Sequence, residues 1–206
     1  DIAAVVLAEQ TPFPAARTLW LARLERAADH FLTQDAKYGG TAQILETKGE
    51  ISLPGLPVSL YGTPDRIDRL PDGRLHLIDY KTGTPPTAKQ QKQYEKQLLL
   101  AAAMAERGGF RDLGPSEVAR ISYIGLGSGE KVEDTPLSPE EIAVQWEGLI
   151  ALVTRYMQRS TGYTSRRAVF EDRFPGDYDH LARHGEWQMS DRATPLRVGP
   201  AEEDAP

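Results

Sequence analysis

The fold is decided by Gly62-Thr63-Pro64-Asp65-Arg66-Ile67-Asp68 and Leu77-Ile78-Asp79-Tyr80-Lys81-Thr82-Gly83, joined through Leu70-Pro71-Asp72-Gly73-Arg74. The joining segment is a turn signal, so the two halves read as one β-hairpin. A Pro-Asp-Gly loop suits a type I turn closed by a glycine bulge, with Gly73 left-handed. That loop makes Leu70 and Arg74 the flanking pair. Asp65 then falls opposite Asp79, Ile67 opposite Leu77 and Thr63 opposite Lys81. Because side chains alternate along strands, Asp65, Asp79 and Lys81 share a face. A two-residue turn would invert this pattern and separate the two acids.

Two carboxylates at adjacent strand positions repel unless a cation or shared proton compensates. Their oxygens suit a hard ion such as Mg²⁺, which keeps several waters and needs only one or two protein carboxylates. Lys81 adds a compact positive charge on the same face. Metal, water and lysine together can activate a nucleophile and stabilise a phosphorane-like transition state. Asp68 is the rival first acid, and the bulged register points it to the other face.

Pro64-Asp65, the hairpin and Asp79-Tyr80-Lys81 together resemble the PD-(D/E)xK nuclease superfamily. The fuller pattern, Gly-x-x-Asp-Arg-Ile-Asp then Ile-Asp-Tyr-Lys-Thr-Gly, resembles its RecB/AddB branch. The resemblance implies an α/β, restriction-endonuclease-like mixed β-sheet flanked by α-helices. It also implies that Asp65 and Asp79 ligate Mg²⁺ (or Mn²⁺) with the Tyr80 carbonyl, and that Lys81 is catalytic. Gln97-Leu98-Leu99-Leu100-Ala101 is similar to the family's Gln-Leu-x-x-Tyr element, which makes Gln97 a residue near the scissile phosphate. Leucine or alanine stands where that element has tyrosine. The family's additional upstream ligand could be Glu46, which otherwise reads as a solvated strand residue. Its upstream helical histidine has no counterpart, and His30 reads as a boundary histidine.

Around this centre, Trp20, Leu21, Leu24, Ala27, Ala28, Phe31 and Leu32 recur at helical spacing, predicting an amphipathic helix over 15–36. The spacing predicts a strand over 42–53, a turn at Pro54-Gly55-Leu56-Pro57 and one helix from Lys89 to Arg107, closed by Gly108-Gly109. A further strand is expected over Val118–Leu126. Ser138-Pro139-Glu140-Glu141 starts a helix with a capping box, and Ile142, Trp146, Leu149, Ile150, Val153, Tyr156 and Met157 mark its apolar stripe. Arg155, Arg159, Arg166 and Arg167 are the best candidates for phosphate contacts, with a solvated surface as the plain alternative. Gly176-Asp177-Tyr178-Asp179-His180-Leu181-Ala182-Arg183 with Glu186-Trp187 resembles a C-terminal signature of AddB proteins.

The 206 residues, 40% hydrophobic and 26% charged, fit one domain over 1–194 with a core at 42–127, a C-terminal part at 138–190 and a disordered acidic tail at 195–206. A start at Asp1 fits a piece of something longer. With no cysteine the chain holds neither disulfide nor iron–sulfur cluster. Neither a membrane-spanning run nor a signal layout is present, so a cytoplasmic setting is expected. A net charge of −6 argues against a general nucleic-acid coat but leaves room for a local DNA grip. The resemblance implies an exonuclease domain of an AddB-like subunit, acting on single-stranded DNA from an unwound end beside an AddA-like helicase–nuclease, in double-strand break repair by recombination. The alternative is a catalytically incomplete nuclease-fold module that binds DNA or docks within the same complex.

Overall fold

The structure, a computed structural model, describes residues 2–127, 130–163, 176–188, 190–192 and 194. The chain divides into two compact units, Asp1–Gly148 and Leu149–Pro206. The acidic tail at 195–206, Arg166 and Arg167 lie outside the described residues.

In the first unit, α1 (Ile2–Gln10) and α2 (Pro14–Lys37) precede β1 (Thr41–Leu45), β2 (Gly49–Ser52), β3 (Ser59–Gly62), β4 (Arg66–Arg69) and β5 (Leu75–Lys81). Helices α3 (Ala88–Gln93) and α4 (Gln97–Glu106) then lead to β6 (Val118–Gly125), β7 (Val132–Pro136) and α5 (Pro139–Tyr156), of which the part up to Gly148 belongs to this unit. Five strands form a mixed sheet in the order β1-β4-β5-β6-β7, and β2 and β3 form a separate two-stranded sheet. Only β5 and β6 run parallel, because the α3–α4 segment carries the chain across between them. The α/β architecture expected from the sequence is the one observed.

The hairpin register is as the turn chemistry predicts. Ile67 pairs with Leu77, Arg66 with Ile78 and Asp68 with His76. Leu70 N–H donates to the Arg74 carbonyl at 2.8 Å, and Gly73 takes φ +87°. A residue with a Cβ is strained at that angle, which is why glycine stands at the bulge.

Two expectations are corrected. The strand expected over 42–53 is two strands on different sheets: the chain turns at Glu46, whose φ is +45°, so β1 pairs with β4 and β2 with β3. The helix expected from Lys89 to Arg107 breaks at Tyr94-Glu95-Lys96 into α3 and α4. Helix α2 forms as expected, although it buries none of its residues and Leu24 and Leu32 remain exposed.

The core lies between the five-stranded sheet and α4. Leu75, Leu77, Ile121 and Val118 are sealed from solvent against Leu98, Ala102 and Ala105. Helix α4 is apolar on every side because seven of its ten residues are buried. Its end is closed by Gly108 at φ +76°, and Gly109 N–H donates to the Met104 carbonyl at 2.8 Å. Helix α5 begins with the expected capping box: Glu141 N–H donates to Ser138 Oγ at 3.3 Å and Ser138 N–H to Glu141 Oε2 at 2.9 Å. Of its stripe, Ile142 and Trp146 are buried and Met157 is exposed.

Candidate active site

Alternation along β5 sends successive side chains to opposite faces, and the two faces do different things. On one face, Phe31 of α2 packs against Tyr80 at 5.6 Å, and Arg66 ties β4 to Asp35 of α2. Asp68 lies on that same face, buried, with its carboxylate gripped twice by Arg66 at 2.6 and 2.8 Å. It is a structural acid with its acceptor capacity engaged.

On the other face, Asp79 and Lys81 meet the start of α4. Gln97, first residue of that helix, donates from Nε2 to Asp79 Oδ1 at 2.9 Å and accepts from Lys81 Nζ at 3.3 Å on Oε1. Lys81 Nζ stands 2.8 Å from Asp79 Oδ2. Asp79 Oδ2 is thus a buried oxygen whose partner is the Lys81 ammonium, with acceptor capacity left over. Burial pushes the Asp79 carboxyl up from its ordinary range; the Lys81 ammonium pulls it back, and the charges of Asp65 and Glu95 push it up further.

Asp65 sits at the bend between β3 and β4, one residue before the first ladder pair, and the register extends it opposite Asp79. Its Oδ2 accepts from Tyr80 N–H at 2.7 Å, standing in for a ladder acceptor where the strand has turned away. The structure thus brings Asp79, Lys81 and Gln97 into direct contact and couples Asp65 to the same strand through Tyr80.

Tyr123 completes the floor, and sequence reading missed it. Parallel pairing sets it beside Asp79, its ring lies 5.5 Å from the Lys81 ammonium, and its hydroxyl accepts from Leu98 N–H at 3.3 Å. It satisfies one of the orphan amides at the start of α4 and so holds Gln97 in place. The only signal in the sequence is strand alternation, which cannot say which two strands are neighbours.

Chain-wide comparison decides the family. A family model described as the PD-(D/E)XK nuclease superfamily matches residues 2–176. This chain belongs to that superfamily. Members of the PD-(D/E)XK superfamily are usually metal-dependent nucleases that use Mg²⁺ or Mn²⁺. An uncharacterized protein of Rickettsia bellii (strain RML369-C) is 27% identical over 163 residues, covering 69% of this chain and 20% of that protein. An uncharacterized protein of Rickettsia felis (strain ATCC VR-1525 / URRWXCal2) is 33% identical over 85 residues, 40% of this chain and 10% of its own length. The chain thus spans about a fifth or less of the length of these relatives. Among solved structures, one titled "Crystal structure of SSO0001" is 14% identical with a TM-score of 0.31, over 77% of this chain and 66% of that one.

The PD-(D/E)XK donor set fits a hard divalent ion at this place. Asp79 Oδ2 is a buried carboxylate oxygen with acceptor capacity left over, and the adjoining donors, Asp65 and the Tyr80 carbonyl, are all oxygen. Among the described residues no group of three or more His, Cys, Asp or Glu side chains comes together as a metal cluster. Glu46 is accordingly not joined to Asp65 and Asp79. Its side chain is exposed, and only its backbone reaches the site, Glu46 N–H donating to the Asp65 carbonyl at 3.1 Å. Of the arginines, Arg155 lies in the last turn of α5 with its guanidinium 6.0 Å from the Tyr156 ring, and Arg159 lies in the following turn. Both belong to the second unit. No described helix is long and apolar enough to cross a membrane.

Proposed function

We propose that this chain is a Mg²⁺-dependent deoxyribonuclease domain acting as an exonuclease on single-stranded DNA. The observation that carries the reading is the contact set at the end of β5, where Gln97 and Lys81 converge on the two oxygens of a buried Asp79. Asp65, Asp79 and the Tyr80 carbonyl would hold the ion. When bound, it supplies Lewis acidity at the phosphodiester. Lys81, held beside Asp79 and over Tyr123, offsets negative charge as it develops on the phosphoryl oxygens. Gln97 fixes the orientation of both the carboxylate and the ammonium, so neither has to reorganise during the reaction.

The chain's small share of its relatives' length supports a domain working inside a larger protein. We place it in a cytoplasmic AddB-like subunit, beside an AddA-like helicase–nuclease, trimming DNA ends for recombinational repair. The test is cleavage of end-labelled single-stranded DNA with Mg²⁺ by the wild-type chain, Asp79→Ala and Lys81→Ala. Both variants should lose cutting while keeping their far-UV circular dichroism. Metal-dependent cleavage that survives in Asp79→Ala refutes the assignment.

One observation favours a second reading, a nuclease-fold module that docks or binds DNA without cutting. Asp65 already accepts from Tyr80 N–H, and no third acid joins it among the described residues. Calorimetric titration separates the two readings: no saturable Mg²⁺ or Mn²⁺ binding supports docking, and binding lost in Asp79→Asn supports the nuclease.

A further inference from the structure

A trough of about 510 Å³ runs between the middle of α2 and the loops that follow β5 and β6. Its floor opens at Thr82, one residue beyond Lys81, and continues into a smaller hollow of about 170 Å³ that shares Thr82, Gly127 and Glu130. The two cavities together cross the carboxyl ends of the parallel pair β5 and β6, the place where open α/β sheets receive their ligands. The floor is kept low by Gly127: a Cβ there would sit 2.6 Å from the Thr82 carbonyl oxygen.

The α2 wall has a definite chemistry. Trp20, Arg23, Ala27 and His30 fall on one side of the helix at spacings of three and four residues, with Arg26 beside them. Trp20 is 44% exposed, an unusual state for the largest apolar side chain, and the Arg23 guanidinium lies 5.0 Å over its ring. Among the described residues Arg26 makes no ion pair. Farther along, His30 Nε2 is buried and has no hydrogen-bond partner. The charged lining is two guanidiniums against the single carboxylate of Glu130, so the trough is cationic on a chain whose net charge is −6.

We propose that this trough binds single-stranded nucleic acid on its way to the end of β5. Arg23 and Arg26 pair with backbone phosphates, and Trp20 stacks a base. An exposed aromatic between cations is the arrangement single strands use, because their bases are free to stack and duplex bases are not. The inference rests on the nuclease reading and adds to it the route the substrate takes.

Binding is measured by fluorescence anisotropy with a labelled oligothymidylate, in EDTA, on the full chain carrying Asp79→Ala so that nothing is cut. Adding Trp20→Ala should weaken binding roughly 5- to 100-fold, while Trp20→Phe retains most of it. Arg23→Gln with Arg26→Gln should reduce the slope of log K against log salt by about 1.4, the share of two phosphates on a single strand. In the cutting-competent chain, Trp20→Ala should lower kcat/KM on the oligonucleotide at least roughly fivefold more than on bis(p-nitrophenyl) phosphate, which is too small to span trough and site. Unchanged affinity and salt slope in a chain that still cuts overturn the trough alone and leave the nuclease standing. A wild-type chain that neither binds nor cuts overturns both.

Discussion

Gln97 holds two opposite charges with one side chain, and its amide orientation follows from them. Its Nε2 faces the Asp79 carboxylate and its Oε1 the Lys81 ammonium. In Gln97→Ala, Asp79 Oδ1 loses its donor inside the protein while Oδ2 keeps only the Lys81 ammonium. Leaving a buried charged acceptor unpaired costs about 1–3 kcal/mol, so the metal-free variant should be less stable by that amount and melt at a lower temperature. A divalent ion held there would repair the defect by taking up the oxygen that the amide abandoned. Differential scanning fluorimetry should therefore show a larger rise in Tm on adding Mg²⁺ for Gln97→Ala than for wild type. Asp79→Asn should show no rise at all, since the neutral amide no longer binds the ion. Cleavage by Gln97→Ala should fall about 10- to 100-fold, the worth of a hydrogen bond to a charged group. An equal Tm response in all three proteins would show that the ion does not sit at Asp79.

The hairpin and the helix break stand at opposite ends of what a sequence discloses about its elements. Pro71-Asp72-Gly73 fixes a loop length, the loop fixes a register, and the register decides which face Asp65 and Asp79 share. All of that information is local, and the observed pairing of Ile67 with Leu77 agrees with it. The break between α3 and α4 has no such signal, since Tyr94, Glu95 and Lys96 are ordinary helix residues. It is imposed from outside: Leu98 N–H donates to Tyr123, Gln97 reaches Asp79 and Lys96 Nζ reaches Gln145 at 3.0 Å. Tertiary contacts override propensity there, and they also aim Gln97 at the site. The turn at Glu46 is equally silent in sequence, because a left-handed glutamate offers no glycine or asparagine to betray it. Gly73→Val tests the legible element. A β-branched residue at φ +87° should cost about 1–2 kcal/mol in urea unfolding, while the m-value and any metal binding at Asp79 stay as in wild type. If metal binding were lost with the turn, the register would depend on Gly73 alone and not on the apolar pairs that follow it.

The first unit is also tied together by a partly buried polar chain that has nothing to do with the candidate active site. Tyr38, at the end of α2, donates to Asp134 Oδ2 of β7 at 2.6 Å, and Ser122 of β6 donates to Asp134 Oδ1 at 2.8 Å. Arg120 pairs with the same carboxylate at 3.1 Å. Because the Ser122 proton is used on Asp134, His76 of β5 must be the donor to Ser122 Oγ, 2.7 Å away, with its proton on Nε2. This His-to-Ser-to-Asp order is the wrong one for a nucleophilic triad, where histidine stands between the other two. Its role is to join α2 and three strands. Burial is the main reason that the His76 pKa falls to about 4 from an ordinary 6.5; Asp134 and Asp68 oppose the fall, while Arg120 and Arg66 assist it. Folded protein thus keeps His76 neutral between those values while unfolded chain takes up a proton, so protons favour unfolding. The stabilising share of His76 is complete above about pH 6.5 and is lost as pH falls towards 4, by up to about 3 kcal/mol. Urea unfolding at pH 7.5, 5.5 and 4.5 should show that decline in the wild-type chain. In His76→Leu the decline over the same window should be shallower by about that amount, although the variant is less stable at pH 7.5 because the donor to Ser122 is gone. Parallel pH profiles for the two proteins would mean that His76 is protonated as readily inside the fold as outside it, and that the chain from Tyr38 to His76 opens to water.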